Sequence, residues 1–374
     1  MMADNTALKL SLDSFWKTNS KSHDHPSSEE TIFRVMKSLL DPILVKLLNR
    51  DPVLDFDPLE SSKFNQGKTS DVFEVLLCLK NFDSSELGLA IEDGKSPAGF
   101  ALPKLTDKRT VWDDFCIRSN SGKKYVSSRI FSEKLLGHLK WLMTQEIAAD
   151  AQMNEFMIKI NEHLSDNTVT FSLSSPTQGV YSVHVFPTIP CRDRWTFGAR
   201  MWQTEESHWP TKAMKHDCME QGFYLVGRQA PTKSPCQWQI AFLDQMKKFL
   251  EDNNGCRNEC LAILKLILHS SPQLQKGVSQ YHLGTIILNL YKKYPKPSFW
   301  TDDKFLPRFL DAVHDLQDCI EQRKLQDFIH LDLNLMKELD KATAESCKMQ
   351  IKILLEEPDK FFSALDVEQT DTSL

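Results

Sequence analysis

The apolar pattern of this chain changes character at about Gln237. Before it, several apolar runs are short and strand-like: Val72–Leu79, Gly99–Leu102, Trp112–Ile117, "TVTFSLSS" and "GVYSVHVFPTIP". The last alternates, with Tyr181, Val183 and Val185 on one face and Ser182, His184 and Phe186 on the other. After about Gln237 the strand pattern stops. Helical runs take over, as "WQIAFLDQMKKFLED", "RNECLAILKLILHSS", "SQYHLGTIILNLYKK", "DKFLPRFLDAVHDLQDCIEQ" and "MKELDKATAESCKMQIKILLEE". "YPKPSFW" separates the third from the fourth. A chain so divided is an α+β protein, with a mixed sheet-containing lobe followed by an all-helical lobe.

The first lobe also carries helices. "SSEETIFRVMKSLLDPILVKLLNR" opens with Ser27 and Glu30 at capping-box spacing and presents Phe33, Met36, Leu40, Ile43 and Leu47 as a stripe. Pro42 predicts a kink near Leu39–Asp41. A second helix is expected from about Ser132, and residues 51–70 read as a loop. Residues 1–26 are polar without a sustained period and are expected to be a disordered leader. The division is therefore 1–26, a lobe over 27–236, a helical lobe over 237–366 and a flexible tail over 367–374. The final Thr-Ser-Leu also fits the simplest peptide pattern captured by PDZ-type sheet edges.

Several function classes lose support here. No apolar run reaches the ~18 residues that span a bilayer, and no signal-peptide core opens the chain. A net charge of −6 argues against nucleic acid as a general partner. Nine scattered cysteines, an odd number, read as reduced thiols in a cytoplasmic or nuclear protein. Cys256 and Cys260 alone are close in sequence, and without a second pair they are too few for structural zinc. The chain has no internal repeat and no glycine-rich loop of P-loop or dinucleotide type.

Three residues stand out. Glu74 interrupts the apolar strand "DVFEVLLCLK" and is either one half of a polar pair or part of a site. Lys265 emerges among Leu261, Ala262 and Leu268, as a snorkelling lysine or as a cation at a cleft rim. Tyr281 opens a helix, as core packing or as a platform for a base. Gly284 in that same helix costs ~1 kcal/mol against alanine, which suggests a close approach.

"CRNECLAILKLILHSS", "SQYHLGTIILNL", "FW" and "DFIHLDLNLM" follow the order and spacing of the Mab-21 family, which includes cyclic GMP–AMP synthase. "SHWP", "GFYLVGRQAP" and "VHVFPTIP" also resemble its pattern, over about residues 28–366. The resemblance implies a nucleotidyltransferase-like lobe with a long spine helix, and a helical lobe closing over a nucleotide cleft. Active members carry two acids as E-x-D on one strand and a third on a neighbour, to hold Mg2+. Aligned so, the acids fall on Val72, Glu74 and His184. The Gly-Ser pair before the strand is missing, since Gly67 is followed by Lys68. Gln239 stands for an arginine near the acceptor base and Gly284 for a lysine, while Lys265 and Tyr281 match a phosphate-contacting lysine and a base-stacking tyrosine.

The expectation is a pseudoenzyme with no catalytic residues and no cofactor. It would bind a nucleotide or other anionic ligand through Lys265 and Tyr281, or serve as a scaffold for a protein partner. The alternative is an active synthase whose Mg2+ site is displaced onto Asp71, Glu74 and Asp113 or Asp114. A third reading, nucleic-acid sensing, rests on Arg34, Lys37, Lys46 and Arg50 of the spine helix.

Overall fold

The computed structural model describes residues 5–20, 28–57, 64–66, 71–80, 89–106, 111–146, 151–153, 155–192, 194–251 and 255–371. Ser27, the Gly67-Lys68 pair and Thr372–Leu374 lie outside the described residues. Helices α1 (Asn5–Ser20) and α2 (Ser28–Arg50) lead to strands β1 (Phe64–Gln66), β2 (Val72–Cys78), β3 (Leu89–Glu92) and β4 (Phe100–Leu105). Next come β5 (Cys116–Arg118), β6 (Lys124–Val126) and α3 (Ser128–Glu146). Strands β7 (Ala151–Met153), β8 (Phe156–Ile160), β9 (Val169–Ser175) and β10 (Gly179–Cys191) follow. Helices α4 (Arg200–Thr204) and α5 (Lys212–Gln221) precede β11 (Phe223–Val226) and β12 (Trp238–Ala241). The helical lobe then runs through α6 (Leu243–Glu251), α7 (Arg257–Ser270), α8 (Pro272–Gln275) and α9 (Gln280–Lys293). It ends with α10 (Phe305–Gln322), α11 (Lys341–Glu356) and α12 (Pro358–Asp371).

The strands form one mixed sheet in the order β5-β6-β4-β12-β11-β10-β9-β8-β7, with β2 beside β10 and β1 beside β2. The β2–β10 pair is parallel and the others are antiparallel. Strand β10 organises the sheet. One of its edges pairs with β2, and the other pairs first with β9 and then with β11. Pro187 lies at the changeover, where a residue without an N–H costs the ladder nothing.

On β2, Phe73, Val75 and Leu77 enter the main core, which continues into the stripe Ile32, Val35, Met36, Leu39 and Ile43 of α2. Helix α2 runs on through Pro42. The opposite face of β2 carries Val72, Glu74 and Leu76, and Leu76 joins Phe186 and Val226 in a small separate apolar patch. Period-two geometry thus puts Glu74 on an open sheet face rather than in the core.

Four expectations are corrected. Residues 5–20 of the supposed leader form α1, whose Leu8, Leu12 and Phe15 are buried against α12; the Phe15 and Phe362 rings lie 4.8 Å apart. The flexible tail likewise belongs to α12 as far as Asp371. "WQIAFLDQMKKFLED" is not one helix. Its first residues form β12, pairing with β11 and β4, so the sheet outlasts the expected boundary at 236. Of Trp112–Ile117, only Cys116 and Ile117 are strand; Asp113–Phe115 is a 3-10 turn. Among the described residues no helix is long and apolar enough to cross a membrane.

Candidate functional site

Parallel pairing sets Glu74 beside His184 on the open face, with Thr170 of β9 next in line. The cation facing Glu74 comes from the protein itself. Arg228 follows β11 and lies across β10, its guanidinium 4.7 Å from the centre of the Phe186 ring. Its Nη2 donates to Glu74 Oε2 at 2.5 Å. Gly227 allows this approach, because a Cβ there would stand 2.9 Å from Pro187 Cγ. The pair is shielded, with the Glu74 side chain 17% exposed and Arg228 33%. Burial pushes the His184 imidazole below its usual range, opposed by the Glu74 charge and aided by Arg228, so it is a neutral ring near pH 7.

These residues do not fit the magnesium that the family resemblance implies. Mg2+ asks for about six oxygens in an octahedron. Val72 offers none, His184 offers nitrogen, and the one carboxylate is already engaged by a guanidinium. Among the described residues Glu74 belongs to no cluster of three His, Cys, Asp or Glu groups; the one such cluster is His216, Asp217 and Glu220, exposed on α5. Nor do the acids of the displaced site gather around Glu74. Asp113 accepts from Lys124 Nζ at 2.6 and 2.8 Å, and Asp114 faces Lys134 at 3.9 Å. Asp71 lies in the turn before β2, exposed.

The two ligand residues expected in the helical lobe sit on α7 and α9, which pack together. Lys265 is half-buried, between buried Leu261 and Leu268. Ser279 and His282 form a reciprocal capping box that starts α9 and places Tyr281 in its first turn. The Tyr281 hydroxyl donates to Asp327 Oδ2 at 2.6 Å, and the side chain still leaves the residue 38% exposed. Burial and the Asp327 carboxylate push the phenol well above its usual range. Asp327 Oδ1 in turn accepts the backbone N–H groups of Ile329 and His330, at 2.9 and 2.7 Å. The loop so fixed reaches the other lobe, where His330 lies against Gly198 and Leu333 against Gly99. Tyr281 is therefore a loop anchor with a partly exposed ring.

Gly284 has a packing role, since a Cβ there would meet Leu250 Cδ1 of α6 at 3.1 Å. Gln239 lies on β12 opposite Val226. On the spine helix, Arg34 pairs with Glu30 at 2.8 Å, Lys37 with Asp41 at 2.7 Å, and Arg50 donates to His138 at 2.9 Å while covering Trp141. Arg34, Lys37 and Arg50 thus each have a partner within the chain. Cys256 and Cys260 touch at the start of α7; the hydrogen bond between them lowers the Cys256 thiol and raises that of Cys260.

Arg228 and Asp327 were not singled out in the sequence, although both lie inside motifs quoted there. The only sequence cue for Arg228 is the glycine before it at the end of a short β run.

Comparison with protein families agrees with this two-part layout. The Mab-21 protein nucleotidyltransferase domain matches residues 66–252, and the Mab-21 protein HhH/H2TH-like domain matches residues 256–353. Between them these matches take in the Glu74–His184–Arg228 face and the Lys265 and Tyr281 helices, and the chain belongs to the Mab-21 family.

Proposed function

We propose that this protein is a pseudo-nucleotidyltransferase, with a cleft that binds a nucleotide or another anionic ligand without metal. The observation that carries the reading is the Arg228 guanidinium on Glu74, where an active relative needs a free carboxylate. Two-metal transfer depends on closely spaced ions that bridge attacking and leaving oxygens, and on carboxylates that hold them. Val72 and His184 supply neither. In the helical lobe Tyr281 offers its ring to a base and Lys265 its ammonium to a phosphate. A base–aromatic stack contributes ~1–3 kcal/mol, and a charge-assisted contact ~1.5–3 kcal/mol. Together, before the association cost, these correspond at best to an affinity between tens of micromolar and millimolar, as an order of magnitude.

The test is incubation of the purified protein with labelled ATP and GTP, Mg2+ or Mn2+, and candidate nucleic acids. No linear or cyclic dinucleotide is expected. Product that disappears in Glu74→Ala would refute the reading. Titration with AMP, GMP, ADP and GDP addresses the cleft. Equal responses from wild type and Lys265→Ala would leave a protein-interaction scaffold.

A further inference from the structure

The contact between Arg228 and Glu74 leaves most of the guanidinium unused. Arginine carries five N–H donors in a planar fork that matches carboxylate or phosphate at two points. Here the carboxylate is met at one point, through Nη2. The Nε–H is buried and has no hydrogen-bond partner, which is a cost to the fold as it stands. The Phe186 ring beneath the guanidinium fixes its plane. His184 lies beside Glu74 in register, a neutral imidazole with an N–H to give. The same open face continues through Ser182 and Ser172, whose hydroxyl donates to Asn161. Among the described residues of β2, β10 and β9 that share this face, Glu74 is the acid, and Arg228 and His184 are the donors beside it.

We infer that Arg228 and His184 form a binding site for one phosphate-type oxyanion, with Arg228 as a built-in cation and Glu74 as a carboxylate that competes for it. The inference rests on the reading above in that the anion would belong to a ligand of the cleft. Glu74 and Arg228 sum to zero charge, so an arriving dianion reaches the unused donors of the guanidinium only against the repulsion of the neighbouring carboxylate, and gains the whole fork by displacing it. That arrangement favours a ligand with one terminal phosphate over a polyphosphate, whose further charges would face Glu74 with no cation between. Binding is insensitive to chelators, because the cation is part of the chain.

The experiment titrates the full chain in EDTA with orthophosphate, AMP and adenosine, following heat or melting temperature. Orthophosphate is expected to bind wild type weakly. Glu74→Gln, which removes the competitor and keeps the shape, should bind it about tenfold more tightly, given the size of a screened charge contact. It should also gain more thermal stability from phosphate than wild type does. Arg228→Gln should lose the binding; if it fails to fold, Arg228→Lys, which keeps the charge without the fork, should bind more weakly than wild type. Equal phosphate affinity in wild type and Glu74→Gln would overturn the inference, as would undiminished binding in the Arg228 variants. Adenosine separates the two readings. If it binds, is lost in Tyr281→Ala, and AMP binds no better, the cleft reading survives and the Arg228 site falls. If orthophosphate responds as expected and adenosine does not bind, the anion site stands without a nucleotide.

Discussion

Replacing Tyr281 with phenylalanine removes one oxygen and separates the two roles this residue combines. The ring remains for stacking, and the 2.6 Å hydrogen bond to Asp327 Oδ2 is lost. Asp327 is 2% exposed, so the deserted oxygen finds little water. Hydrogen bonds to charged groups contribute ~1.5–3 kcal/mol. Unfolding entropy near 2.1 cal/mol/K per residue gives about 0.8 kcal/mol/K for this chain, so the melting temperature should fall by about 2–4 °C. Hydrogen exchange should accelerate at Ile329 and His330, whose amides the same carboxylate holds. Alkaline pH supplies a second readout. The folded phenol titrates above its unfolded value near 10, so its contribution is complete below that pH and declines as pH rises beyond it. Wild type should therefore lose stability more steeply above about pH 10 than Tyr281→Phe. A variant that melts with wild type and exchanges at the same rate would refute the anchoring role. Base binding in Tyr281→Phe that equals wild type, while Tyr281→Ala loses it, would assign the ring to the ligand.

Three further outcomes can be measured. Phe15→Ala removes the ring that stacks on Phe362 and should cost at most ~3–5 kcal/mol, capped by local undocking of α1; α1 should exchange faster while the sheet is unchanged, and unaltered α1 protection would contradict this packing. The folded His184 imidazole titrates below its unfolded value near 6.5, so the stability it contributes is present above that pH and is lost as pH falls; His184→Gln should flatten the acid side of a plot of urea midpoint against pH, and parallel curves would argue against it. Gly222 holds φ at +74°, and a Cβ there would stand 2.0 Å from the Cys191 carbonyl oxygen, so Gly222→Ala should lose more than about 3 kcal/mol, and wild-type melting would show that the turn can yield.

Much of the architecture was legible because period and burial agree. Strand β10 alternates in sequence as it does in space, and helices α7, α9, α10 and α11 fall on their apolar stripes. Strand β12 was hidden by its own spacing. Trp238, Phe242, Met246 and Phe249 recur at helical intervals, and only pairing with β4 and β11 makes the first part extended. The stripe Leu8, Leu12, Phe15 was present in the leader, too short to read without the distant helix that buries it. At the site, the facing of Glu74 and His184 followed from strand period once the family was suspected. Arg228 did not, because its reach depends on the order of strands along β10, which no local pattern encodes.

The contact between α1 and α12 has a consequence for synthesis of the chain. Phe15 and Phe362 are separated by 362 − 15 = 347 positions. At translation rates of 5–20 residues per second, roughly 20–70 s pass between the making of the first ring and the second. Throughout that interval Leu8, Leu12 and Phe15 have no surface to cover them, and the nascent helix must be shielded by the ribosome, a chaperone or its own polar residues. A pause late in translation would lengthen this exposure. Pulse-labelled chains stalled before residue 358 should therefore be cut by protease within α1, while full-length chains resist.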